Sequence, residues 1–221
     1  GLLSYSAAGH WDRLGANETG TDTVSYTVED RHGARSTGLV TVTVTGKNDA
    51  PTAVPDTLMI DADTVLRLPG PSIMANDTDP DLHDTKRVVA INGSAGNVGK
   101  TITLASGALL TIYADGNLTY DPNGRFSGLQ PFQRGTDSFT YTIVDGSGAP
   151  STAAVTIEIQ GTNEPPVAAP DTAITDSGCA VRIPVLLNDT DADAGGNVRV
   201  LSVDTTGSLG HVRINADGTL T

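Results

Sequence analysis

The chain has 221 residues, with 13 Lys and Arg against 26 Asp and Glu, a formal net charge of −13 at pH 7 and a pI near 4.4. Such a charge repels nucleic-acid backbones and anionic membrane surfaces, and no apolar run approaches the roughly 18 residues of a membrane-spanning helix, so neither nucleic-acid binding nor membrane insertion is expected. The single cysteine, Cys179, rules out an intrachain disulfide and a Cys-based metal site.

All the acids except Glu18, Glu29, Glu158 and Glu164 are Asp, which favours turns and caps over helix interiors. With 25 Gly and 12 Pro, this composition predicts an all-β chain with many turns. Aromatics are only 4%, so Val, Ile and Leu must fill the cores.

In chain order, Val24, Tyr26 and Val28 alternate with polar neighbours and predict a strand. Asp30-Arg31-His32-Gly33 is a turn, and Val40, Val42 and Val44 alternate with polar residues as a second strand. The linker Gly46-Lys47-Asn48-Asp49-Ala50-Pro51 follows, then the acidic loop Asn76-Asp77-Thr78-Asp79-Pro80-Asp81. Thr101 to Leu110 reads as a strand, and Asp115-Gly116 as a hairpin turn. Phe139, Tyr141 and Ile143 form another alternating strand, Asp145-Gly146-Ser147-Gly148 turns the chain, and Val155, Ile157 and Ile159 return it. A second linker, Gly161-Thr162-Asn163-Glu164-Pro165-Pro166, precedes a strand start at Cys179, which reads as a small buried hydrophobe. A second acidic loop, Asn188-Asp189-Thr190-Asp191-Ala192-Asp193, comes last.

These elements repeat. The stretch from Gly20 recurs from Gly135 at an offset of 115, and the match reaches back to Tyr5 with Tyr120 and Trp11 with Phe126. The two acidic loops match at an offset of 112. The chain therefore divides into the C-terminal part of one repeat (1–47), a complete repeat (48–162) and the N-terminal part of the next (163–221). About seven strands in roughly 110 residues predicts tandem immunoglobulin-like β-sandwiches.

Carboxylates at alternate positions repel one another unless a cation neutralises them. Ca²⁺ takes six to eight oxygens from Asp, Asn and backbone carbonyls, so a triple Asp pattern repeated at matching positions points to calcium. The competing reading is that Asp simply favours solvated turns. The loop is not an EF-hand, because Leu82 stands where that loop needs Gly and Val88 where it needs Glu. Ser94 to Thr101 nearly spells a phosphate-binding loop, but its first Gly is missing and a strand follows it. His10, His32, His83 and His211 are scattered, with none at metal-ligand spacing. Trp11 reads as core or edge packing rather than a sugar platform, and Asp56 and Asp171 as turn caps rather than ligands. No catalytic constellation is present, so no enzyme is expected.

The motifs Gly-Thr-Asp-Ser-Phe-Thr-Tyr-Thr-Ile-Val-Asp-Gly-Ser-Gly (135–148), Asn-Asp-Ala-Pro (48–51) and Asn-Asp-Thr-Asp-Pro-Asp (76–81) resemble the bacterial cadherin-like repeats, VCBS-type repeats included, of giant RTX-type secreted adhesins. The resemblance implies a calcium-rigidified, non-catalytic extender of an extracellular or cell-surface bacterial protein that serves cell adhesion and biofilm formation. Its partners would be the neighbouring repeats, with a glycan or host surface as the adhesion target. By analogy, Asn48, Asp49, Asp77, Asp79, Asp81 and Asp145 meet at the first junction, with Asp22 from the preceding repeat. Asn163, Glu164, Asp189, Asp191 and Asp193 meet at the second, with Asp137. Head-to-tail association of two copies would bring Asp30 to that second site. The alternative function is a carbohydrate-binding module, which an exposed row of aromatics on one sheet face would favour.

Overall fold

The computed structural model describes residues 2–193 and 197–221. It is all-β apart from two single 3-10 turns, Ser72–Met74 and Ala95–Asn97. Strands β1 (Thr19–Glu29) and β2 (Arg35–Thr45) form an antiparallel hairpin of eleven residues on each side. Eight more strands follow: β3 (Asp56–Asp61), β4 (Leu66–Leu68), β5 (Arg87–Ile91), β6 (Ile102–Thr103), β7 (Leu109–Ile112), β8 (Leu118–Asp121), β9 (Arg134–Val144) and β10 (Pro150–Gln160). They make two four-stranded sheets, in the orders β3-β10-β9-β5 and β4-β8-β7-β6.

The chain separates into two compact units. One comprises Gly1–Leu58, Val65–Asp121 and Asp137–Ile157; the other comprises Met59–Thr64, Pro122–Thr136 and Glu158–Thr221.

In the first unit the alternation read from the sequence becomes a core. Phe139, Tyr141 and Ile143 of β9 and Val155 and Ile157 of β10 are buried, together with Val88 and Ile91 of β5. Leu110, Ile112, Leu118 and Tyr120 of the other sheet meet the same core. Burying each such side chain contributes about 1.5–3 kcal/mol, which suffices for a sandwich with few aromatics. Hairpin β1–β2 carries the same alternation, but its apolar face is only half covered: Val24, Val40, Val42 and Val44 are intermediate and Tyr26 is 47% exposed.

Both long hairpins turn in the same way. Asp30 N donates to Ala34 O (2.9 Å), and Asp145 N to Ala149 O (3.2 Å). Gly33 and Gly148 have φ of +86° and +95°, a region that suits glycine. Arg31 and His32 therefore leave the turn geometry unchanged.

In the second unit Phe126 and Leu129 pack on Gly135, where an added Cβ would lie 3.1 Å from each side chain. Among the described residues after Gln160 only isolated bridges occur, Val167 with Thr190 and Leu220 with Ile183 and Ile214.

Two local expectations are corrected. The segment 101–110 is not one strand but the hairpin β6–β7, because Gly107 takes φ +91° and its amide donates to Leu104 O (2.9 Å). Cys179 is exposed, not buried: its amide closes a turn on Asp176 O (3.0 Å), with Gly178 at φ +81°.

Candidate metal centre

The linker after β2, the loop before β5 and the β9–β10 turn converge in the first unit. Asn48 Nδ2 donates to Asp145 Oδ2 (2.8 Å) and to the Asp49 carbonyl (2.9 Å). The Asp49 amide donates to Asp81 Oδ2 (3.0 Å), and the Asp81 amide to Asp79 Oδ1 (2.9 Å). Asp77 Oδ1 accepts from the Val54 amide (2.7 Å) and the Tyr141 hydroxyl (2.9 Å). The turn amide of Ala149 donates to Asp145 Oδ1 (2.8 Å).

Asp145 has both oxygens bonded, whereas on Asp77, Asp79 and Asp81 one oxygen is used and the other is left bare. Asp77, Asp81 and Asp145 are 5%, 3% and 2% exposed. Asn48 Oδ1, Asp77 Oδ2, Asp79 Oδ2 and Asp81 Oδ1 are buried without a hydrogen-bond partner. A buried acceptor with no partner costs about 1–3 kcal/mol, and more if charged. Asp79, Asp84 and Asp145 also bring one carboxylate oxygen each within 4.8 Å of one another. Oxygens at that spacing suit a hard cation with ligand distances of about 2.3–2.6 Å. The donor set is all oxygen, so Ca²⁺ fits it.

Electrostatics agree. Burial, and then the negative charges of Asp81, Asp84 and Asp145, raise the Asp79 carboxyl above its ordinary range, with the Asp81 amide partly offsetting them. Asp145 goes the other way. Burial opposes its ionisation, but hydrogen bonds from Asn48 and the amides of Ala149, Gly148 and Ser147 prevail and hold it below the usual value. Burial and the nearby Asp77 push the Asp56 carboxyl up.

The second unit repeats this local wiring. Asn163 Nδ2 donates to the Glu164 carbonyl (3.1 Å), the Glu164 amide to Asp193 Oδ2 (3.2 Å), and the Asp193 amide to Asp191 Oδ1 (2.9 Å). The Ala169 amide donates to Asp189 Oδ1 (2.8 Å), as Val54 does to Asp77. Glu164 Oε2 and Asp193 Oδ1 are the buried oxygens without partners here.

Three candidates stand apart from these clusters. Asp22 accepts from the Tyr5 hydroxyl (3.2 Å), and Asp137 from Tyr120 (2.9 Å) and Ser106 (2.6 Å). The same Tyr–Asp pair thus recurs one repeat apart, joining a loop to β1 in the first case and β8 to β9 in the second. Asp30 accepts from the amides of His32 and Ala34 within its own turn.

Two residues belong with the first cluster that the sequence reading missed. Asp84 Oδ1 accepts from the Gly146 amide (2.7 Å), and a Cβ at Gly146 would fall 2.4 Å from that oxygen. Glu18 lines a cleft with Gly15, Ala16, Asp81, His83, Asp84 and Ser147, and its Oε1 lies 3.1 Å from His83 Nδ1. A signal for Glu18 existed, since it is one of only four Glu in the chain.

Ala95–Asn97 is a short 3-10 turn followed by strand β6, which offers no helix N-terminus for phosphate. Trp11 covers Gly20 and donates to the Tyr5 hydroxyl (2.9 Å), an edge-packing role. The exposed aromatics Tyr5, Tyr26, Tyr113 and Phe132 lie on separate elements rather than in a row along one sheet.

Residues 48–161 match the family of the bacterial cadherin-like domain, and residues 1–43 and 163–221 match the bacterial Ig domain. No curated protein matches the chain. Among solved structures, the extracellular domain of protocadherin GammaB4 is similar at 16% identity over 92% of this chain and 34% of its own, with a TM-score of 0.42. Protocadherin Gamma C5 EC1-3 shares 14% identity over 90% of this chain and 65% of its own, with a TM-score of 0.39. Mouse clustered PcdhgC3 EC1-3 shares 16% identity over 69% and 46%, with a TM-score of 0.34. The chain thus spans less than two thirds of the length of each.

Proposed function

Because this chain belongs to the bacterial cadherin-like domain family, we propose that it is a calcium-rigidified extender module of a large secreted or cell-surface bacterial adhesin. An adhesion-type extracellular module is the role such domains suggest, and no enzyme family is indicated. Among the described residues, no helix is long and apolar enough to cross a membrane.

The observation that carries the reading is the set of buried oxygens without partners at both junctions, on Asn48, Asp77, Asp79 and Asp81 at the first and on Glu164 and Asp193 at the second, with Asp81 and Asp193 at matching positions. Asn48, Asp49, Asp77, Asp79, Asp81, Asp84 and Asp145, with Glu18 beside them, would hold Ca²⁺ at the first junction. Asn163, Glu164, Asp189, Asp191 and Asp193 would hold it at the second. The ion supplies positive charge and fixed coordination. The residues supply a short linker tied by its own amide to the loop below, through Asp49 to Asp81 and through Glu164 to Asp193. With the like charges neutralised the joint stiffens; without metal they repel and it loosens. A row of stiffened joints would hold an adhesive domain, and the glycan or host surface it meets, away from the cell.

Calorimetric calcium titration of the 221-residue chain tests this. Asp79→Ala and Asp81→Ala are each expected to reduce the stoichiometry. Small-angle scattering is expected to show a larger maximum dimension in calcium than in chelator, with far-UV circular dichroism largely kept. Absence of calcium binding, or equal dimensions in both conditions, would overturn the reading.

A further inference from the structure

Glu18 and Gln133 occupy the same place in successive repeats, 115 residues apart. Their local frames coincide. Glu18 Oε2 accepts from the Gly15 amide (3.1 Å), and Gln133 Oε1 from the Gln130 amide (2.9 Å). The Glu18 carbonyl accepts from the Gly46 amide (2.8 Å), and the Gln133 carbonyl from the Gly161 amide (2.8 Å). A Cβ on Gly46 would meet the carbonyl oxygens of Leu14 and Gly15 at 2.2 and 2.5 Å. One on Gly161 would meet those of Gln130 and Leu129 at the same two distances. Each linker therefore presses against its own copy of this loop, and the backbone delivers the two side chains alike. They differ in one property: Glu18 is a carboxylate and Gln133 is neutral.

That charge matters because of what lies nearby. Glu18 lines the cleft that Asp81 and Asp84 also line. Asp81 is 3% exposed with Oδ1 unpartnered, and its counterpart Asp193 is 8% exposed with Oδ1 unpartnered. Ca²⁺ affinity in oxygen sites rises with the number of charged ligands.

We propose that the position held by Glu18 and Gln133 sets the calcium affinity of the junction that follows it. Glu18 adds a carboxylate to the first junction, and Gln133 withholds one from the second. As calcium falls, the joint after Gln133 empties first and becomes a hinge while the joint after Glu18 is still stiff. Bending is thereby assigned to particular joints by a single residue. This inference rests on the calcium reading above.

The test is calorimetric titration of the full chain with CaCl₂, each protein checked for folding by circular dichroism. Asp81→Asn and Asp193→Asn assign the binding steps to the two junctions. Glu18→Gln is expected to weaken the step that Asp81→Asn removes by roughly tenfold, the scale of one unit charge near a divalent ion in a water-screened site. Gln133→Glu is expected to strengthen the step that Asp193→Asn removes by a similar factor, or to bring that step into range if the parent shows only one. Unchanged affinity in either Glu18→Gln or Gln133→Glu overturns the proposal and leaves the calcium reading standing. Absence of calcium heat in every protein overturns the calcium reading itself.

Discussion

Asp81 has one oxygen occupied by the Asp49 amide and the other bare, and it adds to the negative field that raises Asp79. Removing its charge should therefore act with opposite sign in the two metal states. In chelator, Asp81→Asn relieves repulsion, and its melting temperature is expected to equal or exceed that of the parent. In calcium the same variant should melt lower, because a ligand held about a hundredfold above its dissociation constant stabilises the native state by about 2.7 kcal/mol, and this variant forfeits part of that. A lower melting temperature in chelator as well would mean that Asp81 is a structural cap. Phe132 presents a different strain. Its φ is +71° and it is 89% exposed, whereas Asn17, its counterpart one repeat earlier, holds φ +66° with a residue type that tolerates this region. Phe132→Gly is expected to stabilise the protein by about 1 kcal/mol, read from chemical denaturation. A loss of stability would show that the ring makes contacts worth more than the strain.

Hairpins β1–β2 and β9–β10 share sequence, length and turn, yet differ in cover. The β9–β10 residues Phe139, Tyr141, Ile143, Val155 and Ile157 are buried, while the matching Val24, Tyr26, Val28, Val40 and Val42 are half or mostly exposed. β9 and β10 are also paired on their outer edges, to β5 and β3, whereas among the described residues β1 and β2 pair only with each other, so both packing and ladder bonding favour the second hairpin. Amides of β9 and β10 are expected to exchange with the free energy of global unfolding, and those of β1 and β2 several kcal/mol more easily (on the order of 2–4), by local opening. Equal protection of the two hairpins would mean that an apolar surface covers β1–β2 in solution.

Such a surface has a candidate at the scale of the whole molecule. Residues 163–221 match the opening elements of a repeat and residues 1–47 match its closing elements, and Ile174, Leu187, Leu201 and Leu209 are strongly exposed. Two copies docked head to tail could cover one set with the other. An association of that kind does not close on itself and lengthens with concentration. Light scattering across a concentration series is expected to show a rising mass, with amide protection in 1–47 and 163–221 rising in parallel. A constant monomer mass with both segments already protected would exclude it.

The strand alternation, the three hairpin turns and the repeat were legible in the sequence because each depends on residues within a few positions: period-two Val and Ile, an Asp three residues before a Gly at 30–33 and 145–148, or the adjacent Asp115-Gly116. The acidic loops were legible for the same reason, since Asp77, Asp79 and Asp81 announce themselves in one line. Residues whose partners lie far along the chain and which no recurring motif marks were not. Asp84 joins the cluster only because Gly146 comes within hydrogen-bond reach across 62 residues, and Glu18 only because the loop before β1 stands against His83. Asp22 and Asp137 read as further ligands in the sequence, and the structure adds that each accepts a phenol hydroxyl, from Tyr5 and from Tyr120, a contact that no local pattern announces. Local periodicity fixes which face of a strand is apolar; only the tertiary arrangement decides which oxygens are left without a partner, because hydrogen-bond satisfaction is settled by contacts between distant parts of the chain.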